Sequence, residues 1–130
     1  EDIRVASWVK PFAVFRSNVN PAYAWEPVLF WGGRKKHGRD VPTIRDWVSV
    51  NITTEKGLMG AKPIKFCYWI FNLLGAQLGD ELVDLYPGTG IVGRAWENFN
   101  KRMSVKNLPM FKFYDKKELI FPQNSTSDTV

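Results

Sequence analysis

The sequence predicts an α/β fold with a parallel sheet, and three observations carry that expectation. A short apolar run of Leu82, Val83 and Leu85 breaks into a turn at Gly88 and Gly90, then resumes as Ile91, Val92, Ala95 and Trp96 with the spacing of one helix face. This reads as buried strand, ligand-binding loop, helix. Upstream, Phe66, Trp69, Ile70 and Leu73-Leu74 form a second amphipathic helix behind Pro63, whose missing N–H suits a first-turn position. Further upstream, the apolar stretches Val5 to Lys10 and Ala24 to Trp31 read as strands.

Taken in order, the second strand ends at Gly32-Gly33 and leads into the basic run Arg34-Lys35-Lys36-His37-Gly38-Arg39. Gly75 and Gly79 mark the exit of the first helix. The helix after the glycine loop is expected to run to Lys101-Arg102, and Met110 to Tyr114 alternates as a strand ending at Asp115. Residues 1–122 then make one domain, with strands and the basic loop in 1–50 and a cofactor-binding half in 60–115. The Ser-, Thr- and Asp-rich tail, 123–130, is expected to be disordered. Six tryptophans in 130 residues and 45% apolar content fit a globular domain with large aromatic burial.

Glycines at Gly88 and Gly90 let the backbone turn tightly and approach a ligand, while the N–H groups of the following helix start point into the same space. With Gly93 they satisfy G-x-G-x-x-G, a weak dinucleotide signal by itself, so a nicotinamide-dependent (NAD) oxidoreductase remains a rival reading. A phosphate-loop ATPase is disfavoured, because Arg94-Ala95 stands where a Lys-Ser/Thr pair would hold phosphate and Mg²⁺. The acid at Asp84 decides more. Asp84-Leu85-Tyr86-Pro87-Gly88-Thr89-Gly90 resembles the first cofactor motif of class I methyltransferases, with Tyr86 in the aromatic slot. That resemblance implies a Rossmann-like class I S-adenosylmethionine-dependent methyltransferase sheet, with Asp84, Tyr86, Pro87, Gly88, Thr89 and Gly90 at the cofactor.

The order of segments sharpens the resemblance. Lys62-Pro63, a helix, a short turn and then the glycine loop resemble the exocyclic-amino methyltransferases of adenine and cytosine whose motif order is permuted, phage and bacterial members included. In that family the lysine of the Lys-Pro pair lies near the cofactor's carboxylate, which makes Lys62 a candidate cofactor residue. Trp8-x-Lys10, Glu26-Pro27 with its apolar strand, Arg34 and the Asp46-Trp47 region resemble the stretch that follows the family's catalytic motif. Asp115, at the end of the next expected strand, is a candidate ribose ligand. The family's hallmark, an acidic or amide residue followed by Pro-Pro and an aromatic, is missing: these residues contain no Pro-Pro pair. In the permuted order it would precede Glu1, so the sequence resembles the carboxyl-terminal portion of a longer enzyme or a remnant. These residues alone are therefore expected to be inactive. An upstream segment or partner chain would complete the site, and a non-catalytic nucleic-acid-binding relative is the alternative.

Charge supplies the partner expectation. A formal net charge of +5 and a pI near 9.4, with Arg34, Lys35, Lys36 and Arg39 concentrated in one loop, suit phosphate contacts and DNA binding. His37 reads as a solvated neighbour of basic residues. Cys67 is the only cysteine, which excludes an internal disulfide and a thiolate zinc cluster; on an apolar helix it reads as a buried thiol. No metal site, nucleophilic triad, signal peptide or membrane span can be argued from the residues, so a cytoplasmic, soluble protein is expected. Unpaired sheet edges would favour homo-oligomers.

Overall fold

The computed structural model describes residues 2–12, 17–35, 43–52 and 61–106. Among them the chain is mixed α/β, with strands β1 (Arg4–Val9), β2 (Trp25–Phe30) and β3 (Trp47–Ser49) followed by helices α1 (Ile64–Leu73) and α2 (Ile91–Lys106). Both strands expected upstream are present to within a residue at each end. The sheet order is β2-β1-β3, with β1 antiparallel to β2 and parallel to β3. Pro27 sits opposite Ser7 in β2, an edge strand of this sheet, where a missing N–H is tolerated.

Period-two alternation decides which side of the sheet is buried. Trp8 faces Val48 across the parallel ladder and Ala6 faces Val28 across the antiparallel one, and these residues turn together toward α1. Val5, Leu29, Trp25 and Trp47 are exposed on the sheet. The register explains this, because Val5 pairs with Leu29 and Val9 with Trp25, one position out of phase with the buried set.

α1 lies between two apolar clusters. Phe66, Trp69, Ile70 and Leu73, spaced i, i+3, i+4, i+7, pack on Ala6, Trp8 and Val48 of the sheet. Cys67 and Phe71, one turn apart, pack on Ala95 and Phe99 of α2, with Leu82 beside them. Phe71 meets α2 edge-on, lying 5.0 Å from Trp96 and 5.4 Å from Phe99 between ring centroids. The layers therefore run sheet, α1, α2.

Three expectations are corrected. Pro63 is the N-cap of α1, with ψ 144°, and its carbonyl accepts from the Cys67 N–H at 3.2 Å, so it precedes the first turn. α2 continues to Lys106, past the expected end at Lys101-Arg102, because its inward stripe extends one more turn to Met103. Finally, 82–85 is not a buried strand among the described residues: it lies outside the three-stranded sheet. Its burial alternates as an extended segment's would, with Leu82 and Asp84 half-buried and Val83 and Leu85 exposed. Apolar content marked the segment as strand-forming, but a strand exists only where a neighbour takes its backbone hydrogen bonds. Met110 to Asp115, the 123–130 tail and part of the basic loop lie outside the described residues.

α1 ends in a Schellman motif. Gly75, at φ +69°, follows the cap Leu74; the Ala76 N–H donates to the Phe71 carbonyl at 2.8 Å and the Gly75 N–H to that of Asn72 at 3.0 Å. The chain leaving β2 docks there, the Arg34 N–H donating to the Leu74 carbonyl at 2.9 Å. A Cβ on Gly33 (φ +80°) would stand 3.0 Å from that same carbonyl oxygen, so this close approach needs a glycine.

Candidate functional site

The glycine loop is a turn closed on the start of a helix. Asp84 accepts the Tyr86 N–H at 3.0 Å through Oδ1, a local bond that bends the chain out of the 81–84 segment. The Pro87 carbonyl accepts the Gly90 N–H at 2.7 Å, and the Gly90 carbonyl accepts that of Arg94 at 3.1 Å, opening α2. Gly88 and Gly90 take the left-handed conformations, φ +47° and +70°, that the sequence reading requires of them. Tyr86 is 90% exposed, Pro87 is exposed, and Thr89 is half-buried.

The geometry fits a ligand with an anionic end. A helix leaves its first N–H groups without intrahelical partners, and α2 carries no acidic side chain in its first turn to satisfy them. Space is open over these donors: a Cβ on Gly90 or Gly93 would meet nothing within 4 Å, and one on Gly88 only the Tyr86 carbonyl oxygen at 3.7 Å. An anionic group such as the amino-acid carboxylate of S-adenosylmethionine is compatible with such a helix start.

Lys62 leads into α1, and the segment that carries Asp84 packs on that helix through Leu82. Lys62 immediately precedes Pro63, and Leu82 packs in the cluster that contains Cys67. The Cys67 thiol registers both: burial pushes its pKa up, the Asp84 charge adds to the rise, and the Lys62 charge opposes it. The thiol is buried, as expected from its place on the helix.

Lys62 is also held from the sheet side. Its ammonium donates to Glu26 Oε2 at 2.8 Å and lies 4.6 Å above the Trp8 ring and 5.8 Å from that of Phe66. Lys10 donates to the other Glu26 oxygen and lies 5.0 Å over Trp8. Burial would raise the Glu26 pKa, but hydrogen bonds and charge from Lys10 and Lys62 outweigh it and hold the carboxyl below its ordinary value. Trp8 itself is fixed by its Nε1–H donating to the Val50 carbonyl at 2.8 Å. The candidate set read from the sequence omitted Lys10 and Glu26 as site residues. Their signal was there: Trp8 and Lys10 are i, i+2 in the segment read as a strand, and Glu26 lies in the strand that pairs with it.

Of the basic run, Arg34 is engaged within the fold. Its Nη1 and Nη2 donate to the two Asp80 oxygens at 2.5 and 2.6 Å, and Nη1 also to the Gly75 carbonyl at 3.2 Å. The guanidinium hydrogen bonds, with the Gln77 N–H, hold the Asp80 pKa down to about 2. Lys35 is exposed; Lys36 and Arg39 lie outside the described residues, as does Asp115. Among the described residues no group of His, Cys, Asp and Glu could hold a metal ion, and no helix is long and apolar enough to cross a membrane. No protein-family model, curated protein or solved structure matches the chain.

Proposed function

We propose that this chain is the cofactor-binding portion of a DNA amino-methyltransferase, with S-adenosylmethionine on the 84–90 loop and adenine or cytosine as the acceptor. One observation supports the reading: an open glycine turn at the start of a helix whose first turn holds no acidic residue, with the Asp84 carboxylate bonded into the same loop. In that reading 84–90 is the first cofactor motif of the Rossmann-like class I type, carried on an extended segment that stands outside the described sheet. By the same resemblance Asp115 is the ribose ligand.

The methyl donor supplies an electrophilic carbon on a sulfonium. This chain's residues contribute binding and orientation. Loop N–H groups and the Lys62 ammonium hold the amino-acid carboxylate, and the Asp84 carboxylate favours the positive charge nearby. Lys35, Lys36 and Arg39 supply phosphate contacts to DNA. Such positioning is what the reaction most needs, since the attacking amino nitrogen must lie in line with the methyl group.

Calorimetry with S-adenosylhomocysteine and NAD tests the reading. We expect the full chain to bind S-adenosylhomocysteine more tightly than NAD, and Gly90→Val, with its fold verified by a thermal melt, to abolish binding. Tighter NAD binding would move the site to an oxidoreductase. Unchanged affinity in folded Gly90→Val would remove the loop from the site.

A further inference from the structure

We infer that Glu26 is the positioning residue of Lys62: it bridges Lys10 and Lys62 above Trp8 and presents their surplus positive charge, at one place, to the carboxylate end of the ligand. The inference rests on the cofactor reading above and adds to it a residue from a different element. Glu26 accepts from Lys10 with Oε1 and from Lys62 with Oε2, so a single carboxylate ties β1 and β2 to the residue that leads into α1.

Three features make this more than a surface ion pair. The lysines outnumber the carboxylate, so the cluster keeps an uncompensated positive charge although every member has a partner. An ammonium has three donors, and among the described residues Glu26 takes one of Lys62's, which leaves the others for a ligand. Lastly, the cluster stands on a fixed platform: Trp8 is 2% exposed, with its ring 4.9 Å from that of Phe66 and its indole N–H bonded to Val50. Phe66 in turn belongs to both apolar clusters, so the platform is continuous with the cluster where Leu82 anchors the segment that leads to the glycine loop. Without Glu26 the Lys62 side chain is free to swing toward solvent, and two like charges over one ring repel each other.

The test compares S-adenosylhomocysteine with 5′-methylthioadenosine, which keeps the nucleoside and sulfur but lacks the amino-acid carboxylate. Wild type, Glu26→Gln, Lys62→Met and the double variant are titrated with each by calorimetry. We expect Glu26→Gln to weaken S-adenosylhomocysteine roughly tenfold. Its affinity for methylthioadenosine should stay within about twofold, and it should add nothing in the Lys62→Met background. Should Glu26→Gln fail to fold, Glu26→Asp, too short to bridge both lysines, is read the same way. Equal weakening of both ligands, or none of either, overturns the assignment while leaving the cofactor reading intact. A wild type that binds neither ligand overturns both.

Discussion

The Arg34–Asp80 pair shows how one side chain's partner changes the meaning of a basic motif. Read along the sequence, Arg34 opens a phosphate-binding loop; in the fold its guanidinium is spent on Asp80 and Gly75, clamping the end of β2 to the end of α1. Asp80 is the better probe of that clamp because its pKa is lowered from 3.8 to about 2. A carboxyl depressed in the folded state contributes stability that is complete above its unfolded pKa and is lost as pH falls through the folded one. We therefore expect part of the stability of the wild type to disappear between about pH 4 and pH 2. Asp80→Asn should flatten the profile in that window, measured as urea midpoints at a series of pH values. Superimposable acid limbs would show that the pair is screened by solvent and holds nothing. Glu26 titrates in the same sense and adds its own loss below its ordinary pKa of 4.5 in both proteins, so only the difference between the profiles reports the clamp.

The helices differ in what holds them. α1 is apolar on two faces because it is the middle layer, and its Schellman cap supplies partners for carbonyls that such a buried end could not leave open. α2 has one apolar stripe, through Val92, Ala95, Trp96, Phe99 and Met103, and a first turn with no acidic residue and a glycine in it. Gly93 is in helix, and a Cβ there meets nothing within 4 Å. Gly93→Ala should therefore stabilise the chain without ligand by about 0.5–1 kcal/mol, the backbone-entropy difference between the two residues. Urea denaturation would register this as a higher midpoint at unchanged slope. Destabilisation would mean that something the chain itself contributes occupies the space over the helix start.

For the molecule as a whole, the exposed sheet face and the proposed reading each lead to an expectation. Among the described residues, a sheet face with Val5, Trp25, Leu29 and Trp47 exposed, and edges at β2 and β3 without a further strand, leave apolar area of the kind that associates. No Pro-Pro-aromatic segment is present among the 130 residues to hold an extruded amino group against a methyl donor. Positioning of that kind is worth roughly 7–11 kcal/mol of barrier, more than a cofactor contact could replace. We expect these residues alone to transfer no detectable radiolabelled methyl to duplex or single-stranded DNA, and a chain or partner bearing the missing motif to restore transfer. Turnover by the 130 residues alone would assign the chemistry to other groups.

Local pattern determined much of this protein. Alternation fixed β1 and β2, the 3.6-residue stripe fixed the body of α1 and the start of α2, and glycine chemistry fixed the turn at 88–90, because each follows from a residue's own conformational range and from its nearest neighbours in the chain. Lys62 and Asp84 became candidates through resemblance to the methyltransferase motif order, which is a pattern along the chain. Tertiary structure decided the rest. Whether 82–85 becomes a strand depends on a partner that no local pattern names. Arg34 reads as a phosphate ligand until Asp80, far along the chain, takes its fork, and Glu26 reads as a strand residue until folding sets two lysines on its carboxylate. Partner choice among charged side chains depends on distances between elements, and those distances are set by how α1 packs between the sheet and α2.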